Sequence, residues 1–202
     1  MNKQAVVLAS MLALLLAAVF FVNQARNSSE KSALEASLLG VAQDDVAAFE
    51  INNFTEGLYF KKHGDAWLVK PVKTELAKAI EADANAGQQQ ADAKEAVAAD
   101  PVKVSTLLTN LSLLKSAEPV ATEKESVGKF QINEHSLHII LYDRDNKELG
   151  RLYVGKTGPD FMSTFVKRGD SDAVYLVQEN LQGIMNYHYE QWQLGENKES
   201  GS

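Results

Sequence analysis

The amino-acid sequence predicts an α+β domain, mostly antiparallel β-sheet with helices packed on one side, joined to one N-terminal transmembrane helix. Three observations carry that expectation. Ala5–Val22 is an uncharged apolar run, seven short apolar runs are separated by turn residues, and a leucine-striped helix opens at Asp100-Pro101 between the third and fourth of them.

The apolar run holds a single polar residue, Ser10, in 18 positions. As helix it would measure about 27 Å, close to the ~30 Å hydrocarbon core of a bilayer. A cleaved signal peptide is the competing reading. Its apolar region usually spans ~7–15 residues, and cleavage after Ala25 would set Asn23 where a small residue is wanted. The expectation is therefore an anchor over residues 1–25 that meets the lipid bilayer through residues 5–22. Lys3 before the run and Arg26 and Lys31 after it leave the positive-inside rule nearly silent. A long polar remainder behind a very short leading tail is the layout of a signal-anchor. Residues 26–37 then form a polar juxtamembrane spacer, 38–194 the α+β domain and 195–202 a polar tail.

Within the domain, residues 45–51 place Val46, Phe49 and Ile51 on a first strand. Residues 57–72 supply two more, with Leu58 and Phe60 alternating with Tyr59 and Lys61, and Trp67 and Val69 set against Leu68 and Lys70. Asn52-Asn53 and His63-Gly64-Asp65 provide turn chemistry between them. Residues 74–99 change character: alanine dominates, Gln88–Gln90 form a tract, Gly87 interrupts, and no aromatic residue occurs. This predicts an exposed, marginal helical insertion and not core. A partner-binding arm is its sharper alternative.

Asp100 can cap the free amides of a helix whose first position, Pro101, lacks an N–H that would go unpaired. Val104, Leu107, Leu108, Leu111 and Leu114 then repeat at three- and four-residue steps, too briefly for a coiled coil. Pro119 closes this helix, and Thr122 with Glu125 forms a capping-box pair opening a short helix toward Lys129. Strands follow at 136–144, 148–155, 161–168 and 173–177, punctuated by Asp145-Asn146-Lys147, Gly158-Pro159-Asp160 and Gly169-Asp170. A final helix caps at Asn180 and carries Leu181, Ile184, Met185, His188 and Trp192 on one face.

Composition narrows the chemistry. The chain has no cysteine, which excludes a disulfide scaffold, a cysteine-ligated metal and a thiol nucleophile. A net charge of −7 with dispersed Lys and Arg argues against nucleic acid. His135 and His138 are three apart, so on one strand they would point to opposite faces and not converge on an ion. His188 on the apolar stripe reads as a hydrogen-bonded core residue, with no G-x-S-x-G elbow to serve. Val154-Gly155-Lys156-Thr157 ends like a phosphate loop but lacks the upstream glycine and a following helix. Asp143, Asp145 and Glu148 resemble a calcium loop only faintly, with glycine and the bidentate glutamate misplaced. Asn53-Phe54-Thr55 and Asn110-Leu111-Ser112 match the glycosylation pattern, the second inside the amphipathic helix, where chance explains it. The expectation is a non-enzyme with no catalytic, cofactor-binding or metal residue.

Taken in order, Trp67-x-x-x-Pro71, Ala99-Asp100-Pro101-x-x-Val104-x-x-Leu107-Leu108-x-x-Leu111 and Phe130-Gln131-Ile132 form one run of motifs. Val154-Gly155-Lys156, Ser163-Thr164-Phe165-Val166-Lys167 and Val174-Tyr175-Leu176 follow. Together they resemble a bacterial domain-of-unknown-function family, serial number four-three-four-zero, over about residues 38–192. The insertion at 74–99 and the missing Gly-Leu at Phe130-Gln131-Ile132 depart from its pattern and suggest a subgroup. The resemblance implies a single-span envelope protein, often encoded beside gliding-motility-type ABC transporters, with no catalytic residue to carry over. Trp67 then reads as a core anchor, Gly155 as a turn position and Pro101 as a helix start.

These readings combine into one expectation: a membrane-anchored accessory or interaction protein of an ABC-type transport or envelope assembly. It would sit in the bacterial cytoplasmic (inner) membrane with its periplasmic domain outside the cytoplasm and ABC-type transporter subunits as possible partners. The alternative is a periplasmic ligand-binding or sensor module, which predicts a concave apolar pocket near Trp67 and Tyr175.

Overall fold

Alternating apolar residues pull eight strands into one antiparallel sheet, ordered β4-β3-β2-β1-β5-β6-β7-β8. The strands are β1 Ala48–Asn53, β2 Glu56–His63, β3 Ala66–Lys73, β4 Val97–Ala98, β5 His138–Tyr142, β6 Glu148–Thr157, β7 Thr164–Arg168 and β8 Val174–Val177. The computed structural model describes residues 37–54, 56–84, 95–115, 119–185 and 188–195. The expected anchor at 5–22, residues 26–36 of the expected spacer and residues 196–202 of the expected tail lie outside them. Among the described residues no helix is long and apolar enough to cross a membrane.

One face of the sheet is the core. Phe49 pairs with Phe60, and Phe60 with Val69, so a single register row carries three fully buried side chains across β1, β2 and β3. Ile51, Ile139 and Leu152 form the next row across β1, β5 and β6. Helix α2 (Pro101–Leu113) packs on this face with Val104, Leu107, Leu108 and Leu111 buried, joined by Leu114 just beyond its end. Its start is the one the sequence specifies. The Asp100 carboxylate accepts from the amides of Val102 at 2.9 Å and Lys103 at 3.3 Å, and Pro101 occupies the first turn.

The C-terminal segment closes the core. Asn180 accepts from the Gly183 amide and starts α3 (Leu181–Met185); a second turn, α4 (Tyr189–Trp192), opens at His188. Trp192 is fully buried and meets the Phe60 ring edge-on at 4.9 Å, while Phe60 stacks on Phe49 at 4.3 Å. Backbone bonds hold this arrangement: Asp100 N–H donates to Trp192 O, and Leu194 N–H to Ala98 O. On the opposite face a 3-10 stretch, Lys124–Phe130, brings Val127, Phe130 and Ile132 over Tyr153, Phe165 and Val174.

Several expectations need correction. The final helix is two short pieces, and His188, expected in the core, is the exposed residue that begins the second, its amide donating to Gln191 Oε1 at 2.8 Å. Trp67 is only half-buried at the rim of the aromatic row, so Trp192 holds the position assigned to it. Among the described residues of the insertion at 74–99, α1 (Glu75–Ala84) is helical. Val97–Ala98 form β4, a strand not expected there, against Leu68–Val69, and Ala99 is buried. Backbone pairing there gives two residues a place that side-chain hydrophobicity did not advertise. The 3-10 stretch begins after Glu123, with no side-chain cap from Thr122. Asn52 and Asn53 end β1 instead of forming the turn, and Asn52 is buried.

Two substitutions test this account by urea denaturation. Trp192→Ala should cost about 3–5 kcal/mol, since it empties the space that closes the aromatic row. Asp100→Ala should cost about 1 kcal/mol through the lost cap, with an unchanged denaturant slope.

Candidate interaction site

Strand order and direction give the sheet two distinct ends. The chain enters the domain at one of them, where Leu38 N–H donates to Leu114 O and Arg168 Nη1 donates to Leu38 O. Leu38, Leu39 and Val41 are buried there. The same end carries a cleft of about 280 Å³ lined by Leu39, Glu148, Leu149, Gly150, Arg151, Arg168 and Asp170. Each cleft cation has its own carboxylate: Arg151 with Glu148 at 2.8 Å, Arg168 with Asp170 at 2.5 Å. The hydrogen bond from Arg168 holds the Asp170 carboxyl below the usual carboxylate range. Neither Trp67 nor Tyr175, around which a ligand pocket was expected, lines this cleft.

The other end is built differently. The β6–β7 loop is braced at its base: Gly158 N–H donates to Ser163 O, and Phe161 N–H to Gly158 O. Asp160 Oδ1 accepts from the amides of Met162 at 3.1 Å and Ser163 at 2.8 Å, and from the Ser163 hydroxyl. These bonds, the hydroxyl first, hold the Asp160 carboxyl below its ordinary range. They also take the Met162 and Ser163 amides away from ladder pairing, which is why β7 starts at Thr164 and not at Phe161 as expected. The result is a loop tip with Phe161 79% and Met162 69% exposed. Phe161 sits at φ 59°, a left-handed conformation that a bulky side chain rarely adopts. Phe54, in the β1–β2 turn at the same end, is 60% exposed at φ 52°. Its residue-55 neighbour lies outside the described residues.

The two histidines do not share a strand, so parity is not what separates them. His135 lies in a turn where its amide donates to Asn133 Oδ1, while His138 opens β5. His138 Nδ1 donates to Ser136 O at 2.7 Å, leaving Nε2 toward the Asn52 amide nitrogen at 3.5 Å. That nitrogen also donates to Glu50 Oε2 at 3.3 Å. Burial pushes the His138 pKa down; the Ser136 bond opposes it, the Arg151 charge lowers it further, and Glu50 and Glu148 pull weakly upward. Among the described residues no group of three or more His, Asp or Glu is placed to hold a metal ion. Asp143, the residue that gave a faint calcium pattern, instead caps the β5–β6 hairpin by accepting from Asp145 and Lys147 amides.

A family model described as Domain of unknown function (DUF4340) matches residues 90–194. The chain belongs to the DUF4340 family. No curated protein and no solved structure matches it. The matched DUF4340 region starts far downstream of residue 38, so it takes in β4 to α4 and leaves out β1, β2 and β3. Yet Trp192 inside the match packs on Phe60 outside it, so the two parts share one core.

The DUF4340 motif residues act as packing. Gly155, expected at a turn, lies within β6, where an added Cβ would collide with Phe130 O and come within 2.6 Å of Ile132 Cγ1. Its carbonyl accepts from Gln182 Nε2 at 2.6 Å. Lys156 Nζ lies 5.6 Å from the Phe130 ring and 5.7 Å from Phe165, which accounts for the lysine without a phosphate. Sequence reasoning missed Phe161, Met162 and Phe54. The usable signal was Asp160-x-x-Ser163 after Gly-Pro, an Asx turn around two large apolar residues.

Stability should depend on pH through His138. Its folded-state pKa is lowered, so the unfolded chain takes up the proton first, from about pH 6.5 downward. The stability contributed by neutral His138 is thus complete above that pH and is lost as pH falls toward the lowered folded value. His138→Gln should remove this part of the slope when urea midpoints at pH 7.5 and 5 are compared with wild type. A one-dimensional proton titration should show the His138 ring titrating below 6.5.

Proposed function

We propose that this DUF4340 protein is a non-catalytic, membrane-tethered accessory or interaction protein of an ABC-type transport or envelope assembly, its domain held outside the cytoplasm. The observation that carries the reading is how the domain receives the chain. Leu38, Leu39 and Val41, directly after the polar spacer, are buried in the core, and Leu38 is gripped by backbone and by Arg168. A domain with this attachment is suited to working on a leash, because Leu38, Leu39 and Val41 belong to its core. The uncharged run from Ala5 to Val22 supplies the length for an anchor, and the family resemblance supplies the transport context. A tether raises effective concentration, so a small contact area suffices for partner engagement.

Three measurements test this. A phosphatase reporter fused after Ser202 should be active only if the domain lies outside the cytoplasm, and activity of a cytoplasmic-only reporter at the same position would reject the orientation. Carbonate washing should leave the intact chain in the membrane fraction. Mature protein beginning beyond Val22 and recovered in the wash would defeat the tether. Affinity purification in mild detergent should enrich transporter subunits over an anchored control protein, and equal recovery would remove the transport context.

A further inference from the structure

Ser136 O, the His138 ring, the Asn52 amide and Glu50 form one hydrogen-bonded chain on the face of the sheet opposite α2, and its direction is fixed. Ser136 O meets His138 Nδ1 at 2.7 Å, and a carbonyl only accepts, so the neutral imidazole carries its proton on Nδ1. Nε2 is then the acceptor, 3.5 Å from Asn52 Nδ2, whose other hydrogen goes to Glu50 Oε2 at 3.3 Å. Asn52 is buried and directly opposite His138 in the ladder, whereas Glu50 is opposite Ile140. On its far side the Asn52 carboxamide rests against β2. A Cβ added at Gly57 would lie 2.6 Å from Asn52 Oδ1 and 3.1 Å from Val72 O, so glycine leaves the room that Oδ1 fills, and Val72 O borders it. Among the described residues, Asn52 is the one partner of Nε2. The neighbouring groups are engaged elsewhere. On β6, Tyr153 lies opposite His138 with Lys167 of β7 over its ring, and Arg151 is paired with Glu148. Tyr59 of β2 lies opposite Glu50 beneath Lys70 of β3, and Lys78 of α1 also feels the Glu50 charge. Tyr142 of β5 is opposite Ala48, and His135 in the turn before β5 is paired with Glu134.

We infer that Asn52 is a two-position switch driven by His138: its amide nitrogen donates to Nε2 of the neutral ring, and when Nε2 takes a proton from solvent the carboxamide turns over, so that Oδ1 accepts from Nε2–H and Nδ2 faces Gly57. Without the turn two donors would face each other in a buried place, leaving one unpaired. Rotation about the last side-chain bond of asparagine removes the conflict without changing its shape, because the carboxamide oxygen and nitrogen are nearly the same size. Val72 O then borders the space the amide nitrogen enters. Glu50 cannot relieve the ring as simply, since the residue facing His138 across the ladder is Asn52. Burial is the largest influence on the ring and holds its pKa below 6.5, so the turn occurs in acid below that pH. The output is at Glu50, which has an amide donor at neutral pH and loses it in acid. This switch stands whether or not the chain is tethered.

The test follows the full chain in mild detergent by NMR, with histidine and asparagine nitrogens labelled, from pH 7.5 downward until the His138 ring is charged. At pH 7.5 the ring should show Nδ1 protonated and Nε2 bare. Through the His138 midpoint the Asn52 carboxamide protons should lose their nuclear Overhauser contact to the ring and gain one to the Gly57 α-protons. Asn52→Asp offers Nε2 an acceptor that needs no turn, so the His138 midpoint should rise by about one pH unit, a tenfold gain in proton affinity. Carboxamide protons that stay at the charged ring, a neutral ring protonated on Nε2, or a charged ring bonded to Glu50 in place of Asn52 would each overturn the switch. So would unfolding before the ring is charged, or a folded Asn52→Asp chain with an unchanged or lower midpoint. The wild-type titration decides the matter by itself where Asn52→Asp does not fold.

Discussion

The aromatic row that runs from Trp67 through Phe49 and Phe60 to Trp192 is the constraint on which the rest of the molecule depends. Three of its members stand on adjacent strands near the start of the domain, and the fourth arrives more than a hundred residues later. Burying Trp192 forces Gln193 and Leu194 alongside β4, fixes the start of α2 through the Asp100 amide, and so sets how the leucine stripe meets the sheet. The carbonyl of Gln191 receives the Lys103 ammonium in the same corner. A single ring therefore ties together sheet edge, helix start and C-terminal turn. Offset and edge-on aromatic pairs add roughly 0.5–1.5 kcal/mol beyond the area they bury, so the row supplies direction as well as stability.

That closure leaves the two ends of the sheet free to differ. At the attachment end, charges pair locally and the incoming chain is absorbed into the core. At the far end, side-chain bonds from Asp160, Asn133 and Ser136 replace ladder pairing, and the backbone is bent to present residues outward. Two kinds of local chemistry thus serve two purposes. Ion pairs such as Arg151–Glu148 tolerate water and hold a rim in place, whereas carboxylate-to-amide bonds over-determine a tight loop. The second arrangement is the one able to keep Phe161 at positive φ.

Much of this was legible in the residues. Asp100-Pro101 announced a helix start through chemistry local to four positions, and Val104, Leu107, Leu108 and Leu111 announced its buried face through spacing alone. Phe49 and Phe60 declared their strands by alternation. What could not be read was whatever depends on residues distant in sequence. Val97 and Ala98 pair because β3 has a vacant edge, and an alanine-rich context hides that. Trp67 and Trp192 are equivalent as residue types, and only the packing decides which lies deepest. His188 falls on the apolar stripe only if the last helix is continuous, and the helix is not. Gly155 is explained by Phe130 O approaching from another element, where the sequence offered a turn.

The candidate site was hidden for a related reason. A run such as Phe161-Met162-Ser163-Thr164-Phe165 satisfies the strand pattern, and pattern counting has no term for an acceptor one residue upstream. Once Asp160 captures two amides, continuing the strand through Phe161 would sacrifice those bonds, so the chain turns and the apolar pair is left in water. Replacing the pair with polar residues would cost the core nothing, because neither side chain touches it. Their exposure follows from the Asp160 bonds to the Met162 and Ser163 amides, which turn the chain before β7 can begin.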